Sequence, residues 1–198
     1  MKLIFKGKFK SYDDLPKNEL PENAVKFKEP SSLLGVNLLA LVFMIPAMIL
    51  MIVLAGLRNA SFFEYYIPGF ITALLLCVPH EFIHGMCAGK DAEVYMYYSL
   101  KHLMLFVTTL VPLSKTRYIV LSAMPAVLLG WLPFLIGLIF FPTLPFGKFI
   151  MAAGFCGALM GSGDYINIFN AAVQMPKGSM SMQSGINSYW YLPDDKLQ

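Results

Sequence analysis

The chain has 198 residues, 57% of them hydrophobic and only 14% charged, against about 25% charged in ordinary soluble domains. Its mean hydropathy is +0.62, which points to lipid rather than water as the main solvent. A net charge of +3 with no dense basic stripe excludes nucleic acid as an expected partner.

The first thirty residues, MKLIFKGKFKSYDDLPKNELPENAVKFKEP, mix lysines with acids and contain no apolar core of the length a signal peptide needs. They read as an uncleaved arm. Ser31 to Leu57 then carries no charge and exceeds the roughly 20 apolar residues that cross a bilayer core as a helix. Tyr65 to Gly89, Tyr118 to Phe141 and Phe149 to Met175 are three further segments of that kind. Pro46, Pro79, Pro125 and Pro133 fall inside these runs, where a membrane helix tolerates them and kinks. The expected fold is therefore an all-α integral membrane protein with four transmembrane helices. Its divisions are an arm over 1–30, a four-span membrane domain over 31–175 and a tail over 176–198.

Lysines and arginines set the orientation, because cytoplasmic segments retain them. They crowd the arm, the link between spans two and three (Lys90, Lys101, Lys115, Arg117) and the tail (Lys177, Lys196), while the opposite side has Arg58 and Lys148. Both termini are expected in the cytoplasm, in a multi-pass protein of the cell membrane. The link itself is too apolar for an ordinary loop. Val94 to Tyr98 and Leu103 to Val111 are rich in aromatic and β-branched residues, which suggests a short membrane-associated β-hairpin able to grip an extended peptide along its edge. An interfacial segment anchored by Tyr95, Tyr97 and Tyr98 is the other reading of the link. Tyr189, Trp190 and Tyr191 place the tail at the membrane surface. The three cysteines, Cys77, Cys87 and Cys156, form no disulfide pattern and read as reduced packing residues.

Within the four apolar segments the only carboxylates are Glu81 and Asp164, and the only histidines are His80 and His84. Ionisable groups are costly at membrane depth, so they face the bundle interior and serve a purpose. His80-Glu81-Phe82-Ile83-His84 is an H-E-x-x-H pattern. Two imidazoles four residues apart share one helix face and can hold a zinc ion (Zn2+), with the glutamate placed to act as general base. A polar cluster that only bonds neighbouring helices is the plainer reading.

Catalytic zinc usually has three protein ligands. Asp164 is the best candidate for the third, since His80 and Asp164 each lie about fifteen residues into a span running the same way, which at roughly 1.5 Å per residue puts them at similar depth. Gly154, Gly157, Gly161 and Gly163 leave room for another helix to come close. Cys77 and Cys87 flank the motif but read better as small apolar residues. His102 reads as a surface residue. Asn167 could bond the substrate, Asp164 or a neighbouring helix.

HEFIHG, together with LPENAVKFKEP, LSKTRYIVLSAMP and GSGDYINIFN, resembles a zincin peptidase family of small bacterial membrane proteins, distant relatives of the site-2 intramembrane metalloproteases. The resemblance implies zinc held by His80, His84 and Asp164, with Glu81 as base. It departs from site-2 proteases proper around the third ligand, where Ser162-Gly163-Asp164-Tyr165 stands in place of an Asn-Pro-Asp-Gly-like sequence. The function expected is a membrane-embedded zinc metalloendopeptidase acting on membrane protein substrates in the lipid bilayer. The alternatives are a metal or proton translocator, and an inactive protein that binds membrane helices. The oligomeric state is not legible in the sequence.

Overall fold

The structure, a computed structural model, describes residues 1–30, 33–101 and 104–193. Expectations that fall on Ser31, His102, Leu103 and Lys196 lie outside the described residues. The chain divides into two compact units, Met1–Glu29 with Glu81–Ser122 and Asn167–Gln198, and Pro30–His80 with Ala123–Ile166.

The second unit is helical, and three of its helices (Cys77–Ala88, Lys115–Pro125 and Ser162–Gln174) belong in part to the first unit. Helix α1 (Leu33–Leu57) has 25 residues and no charge, and its exposed side chains include Leu38, Val42, Ile45, Ile49 and Val53. A helix apolar all round is one whose solvent is not water. It stops where Asn59 takes a left-handed conformation (φ 50) and Ala60 N–H donates back to the Ala55 carbonyl at 2.9 Å, a usual way of closing a helix C-terminus. Helix α2 (Tyr66–Leu75) and helix α3 (Cys77–Ala88) follow. Helix α4 (Lys115–Pro125) continues through a π-helical stretch (Ala126–Trp131) into α5 (Leu132–Phe140), so the wide turn lies between the two prolines, Pro125 and Pro133. Helices α6 (Pro145–Met160) and α7 (Ser162–Gln174) complete the set.

Among the described residues two helices, Leu34–Leu57 and Lys115–Phe140, are long and apolar enough to cross a membrane. There are up to four if each bent pair is one span: α2 with its preceding 3-10 turn joins α3 at 46°, and α6 joins α7 at 53°. All four expected apolar segments are thus present, but the second and fourth are broken. The breaks fall at Leu76, three residues before Pro79, and at Gly161.

Glycines let the helices of this unit approach closely. A Cβ on Gly154 would lie 2.5 Å from the Phe134 backbone nitrogen, and one on Gly157 2.5 Å from the Leu129 carbonyl oxygen. Gly163 differs, since nothing lies within 4 Å of its Cβ position, and it gives no close approach. Phe62, Phe134, Met51, Met151 and Ala158 form the packed centre around these contacts. Replacing Gly154 by alanine is expected to destabilise the protein by about 1–3 kcal/mol, as overpacking of a filled core does, with zinc binding retained in the folded fraction. A thermal unfolding curve in detergent reads the effect.

The first unit corrects the all-α expectation, because it holds two β-sheets. One sheet has the order β1 (Lys2–Lys8), β3 (Glu93–Ser99), β4 (Met104–Thr109), with β1 parallel to β3 and β3 antiparallel to β4. The expected hairpin in the link is therefore present, and the arm adds a strand to it. Lys2 Nζ donates to Glu93 Oε1 at 2.7 Å across β1 and β3, and this bond from Lys2 is the main reason the Glu93 carboxyl is held below its usual range. The other sheet has the order β2 (Val25–Lys26), β7 (Asn187–Tyr191), β6 (Met180–Ser184), β5 (Leu113–Ser114), all antiparallel. Lysines at alternate positions hid β1, and the polar run before Tyr189 hid the tail hairpin. Phe27, Leu113, Tyr118, Ala171 and Met175 pack beneath the second sheet.

Candidate metal centre

Helix α3 begins just after the break at Leu76, and its first turns carry the H-E-x-x-H residues. His80 N–H donates to the Leu76 carbonyl at 2.9 Å, so the helix is regular from its start. One ligand atom each from His80, Glu81 and His84 lie within 4.8 Å of one another, the arrangement along this helix that could hold a metal ion. Among the described residues no cysteine joins such a group. Cys77 Sγ faces the Ala73 carbonyl at 3.9 Å, in keeping with a packing role.

In the helical unit, His80 Nε2 lies 3.1 Å from Asp164 Oδ2, and Asp164 is buried. The two residues expected at equal depth do meet. Gly161 explains how. A Cβ there would lie 3.2 Å from Asp164 Oδ2 and 3.5 Å from His80 Cε1, so a side chain would crowd the Asp164 carboxylate and touch the His80 ring. After the break α7 starts afresh, and Asp164 falls in its first turn, where the positive end of the helix favours a carboxylate. The neighbouring Tyr165 is anchored, its hydroxyl accepting from Trp131 Nε1 at 3.0 Å and donating to the Ala158 carbonyl at 3.1 Å. That holds the turn bearing Asp164 in place.

In the other unit, buried His84 has its Nδ1 2.9 Å from the Leu121 carbonyl oxygen. A carbonyl can only accept, so Nδ1 donates to it, the kind of bond that orients a metal-binding histidine ring. Glu81 Oε2 accepts from the Val107 backbone N–H of β4 at 2.9 Å. Leu121 and Val107 act through backbone groups, which no reading of side-chain types could pick out.

The donor set fits zinc. Tetrahedral ligands at about 2.0–2.1 Å from zinc are about 3.3 Å from one another, close to the 3.1 Å between His80 Nε2 and Asp164 Oδ2. Two imidazoles and one carboxylate are a donor type that catalytic zinc sites use, with a fourth position left open.

The H-E-x-x-H residues of α3 form the group among the described residues that could hold a metal ion. Residues 73–180 match the family described as "Putative zincin peptidase", and the chain belongs to that family. No curated protein sequence and no solved structure matches the chain. Family membership assigns the chain to the zinc metallopeptidases at the level of class.

Proposed function

We propose that the protein is a membrane-embedded zinc metalloendopeptidase that hydrolyses peptide bonds of membrane-associated protein substrates, with zinc held by His80, His84 and Asp164 and with Glu81 as general base. The observation that carries this reading is the 3.1 Å approach of Asp164 to His80, which adds a carboxylate to the two-histidine motif.

Zinc in such a donor set supplies Lewis acidity, polarising the scissile carbonyl and lowering the pKa of water to near neutrality. Glu81 takes the proton from the attacking water and delivers it to the amine of the leaving chain, so the carboxylate is regenerated each cycle. The Val107 N–H holds one carboxylate oxygen of Glu81 and so fixes where the other can reach. A substrate helix must unwind before its carbonyls can be attacked, and the β4 edge offers an extended stretch a partner. The apolar helices and the lysine distribution support a multi-pass protein with both termini in the cytoplasm.

The test is cleavage of a labelled transmembrane peptide by the purified protein in proteoliposomes. Removal of metal by a chelator is expected to abolish cleavage, and addition of about one equivalent of zinc to restore it. Cleavage that survives complete metal removal would overturn the reading.

A further inference from the structure

Strand β1 divides its lysines between the two faces of its sheet, and a single bulge sets the division. Leu3 and Phe5 pair with Val94 and Met96 of β3, while Lys2 and Ile4 pair with Glu93 and Tyr95. Because side chains alternate along a strand, the first set shares one face and the second set the other. The register then slips between Phe5 and Gly7, where Gly7 takes a left-handed conformation (φ 83). Lys6 is the extra residue. Past it Lys8 pairs with Tyr98, two residues beyond Met96, and so lands on the face of Leu3 and Phe5. In an unbroken strand it would have turned to the face of Lys2.

The two faces differ in what meets them. On one, Lys2 bonds Glu93 at 2.7 Å and the Lys6 ammonium lies 5.2 Å from the centre of the Tyr95 ring, so both cations find partners within the sheet. The other face packs on α3, since a Cβ at Gly85 would lie 2.6 Å from Met1 Sδ and 3.4 Å from Val94 Cγ1. Beyond Met1 that cover ends. Leu3 is 38% and Phe5 65% exposed, with Phe5 stacked on Tyr98. Lys8 and Lys10 are exposed too, and among the described residues neither meets an acidic partner. Helix α3 itself leaves Phe82 and Met86 exposed.

We propose that this face of β1 lies on the membrane, with Leu3 and Phe5 among the acyl chains and Lys8, together with Lys10, against the phosphate of an acidic phospholipid. This assignment rests on the membrane part of the reading above and not on peptidase activity. The helix beneath the face is the second half of a broken candidate span, so lipid is the solvent at hand for Leu3 and Phe5. A surface that is apolar and then basic suits the boundary between acyl chains and headgroups, where aromatic rings settle and lysines find anions. Acidic headgroups supply the carboxylates' place, which the described chain leaves empty beside Lys8 and Lys10. The bulge is what makes the face amphipathic. Without it Lys8 would join Lys2 and Lys6, and Phe5 would enter lipid with no cation behind it.

The full chain is placed in nanodiscs of phosphatidylcholine and phosphatidylglycerol in equal amounts, with photoreactive benzoylphenylalanine in place of Phe5. A second protein carries the probe in place of Val42 on α1, which is 62% exposed and serves as the lipid-facing reference. A third carries it in place of Leu3, on the same face as Phe5, and leaves the stacking of Phe5 on Tyr98 undisturbed. Adducts formed on illumination are identified by mass spectrometry. The expected result is a lipid adduct from the Phe5 and Leu3 sites, biased toward phosphatidylglycerol. The bias should fall roughly fivefold in Lys8→Gln and be kept in Lys6→Gln, which removes the same charge from the opposite face. Lipid adducts from the Val42 site with none from either β1 site, or a cross-link to a second chain there, overturn the proposal and leave the membrane reading standing. An equal loss of bias in the two lysine variants, or no bias in wild type, overturns the role of Lys8. No lipid adduct from any of the probe sites overturns the membrane reading as well.

Discussion

Replacing Glu81 by glutamine is expected to lower hydrolysis by about 10²–10⁴-fold, the span typical of a lost general acid-base group, while zinc content stays at the wild-type level. Glutamine keeps the size of the side chain and an oxygen able to accept from Val107 N–H at the position Glu81 Oε2 now occupies. What it lacks is the ability to take a proton. The variant therefore isolates proton transfer from architecture. Glu81→Asp sharpens the test, because its carboxylate is shorter by one methylene and reaches either Val107 or the reacting water less well; a smaller loss than for glutamine is expected. Measured kcat should fall in both. Full activity in Glu81→Gln would place the base elsewhere.

Metal loading should show the second large effect. Mass spectrometry of detergent-purified wild type is expected to find about one zinc per chain, lost in His80→Ala, His84→Ala and Asp164→Ala and kept in Glu81→Gln. The Asp164 variant is the most informative of these. Asp164→Asn preserves shape and the contact with His80 Nε2, now at 3.1 Å, but removes the charge, so zinc should weaken without loss of helix packing. Because zinc binds the folded chain, adding chelator to wild type should lower Tm by mass action, and the three ligand variants should show no such response. Wild type without zinc, even after reconstitution, would leave a polar helix-bonding cluster as the better account.

What the sequence made legible was carried by side chains with little freedom of interpretation. Four apolar runs located the helices, and the ionisable residues within them located the candidate centre. Even the meeting of His80 with Asp164 follows from counting residues along two spans. The breaks at Leu76 and Gly161 were not legible, because the local composition stays apolar through both and only Pro79 and the run of glycines hint at them. The β-sheets were half legible: Val94 to Tyr98 carries its β-branched and aromatic signal openly, whereas β1 alternates with lysines and reads as a charged arm. Leu121, Val107 and the bond from Asn18 Nδ2 to the Gln183 carbonyl were invisible for a different reason. The first two contribute backbone groups common to every residue, and the third joins polar residues more than 160 positions apart, which nothing short of the folded chain brings together.

The two bends carry a consequence for how the protein is made. They divide the second and fourth apolar segments into helices of 10 and 12 residues and of 16 and 13, each short of the roughly 20 that a bilayer accepts as an independent helix. Of the four pieces, α3 carries His80, Glu81 and His84, α6 Lys148 and α7 Asp164, ionisable residues that insertion disfavours. The unbroken helices Leu34–Leu57 and Lys115–Phe140 are long enough to enter on their own. The broken segments then depend on helices already in place, and Asp164 leaves the ribosome after the other candidate ligands. On the proposed ligand set, a nascent chain lacks a complete metal centre until the fourth segment has been delivered.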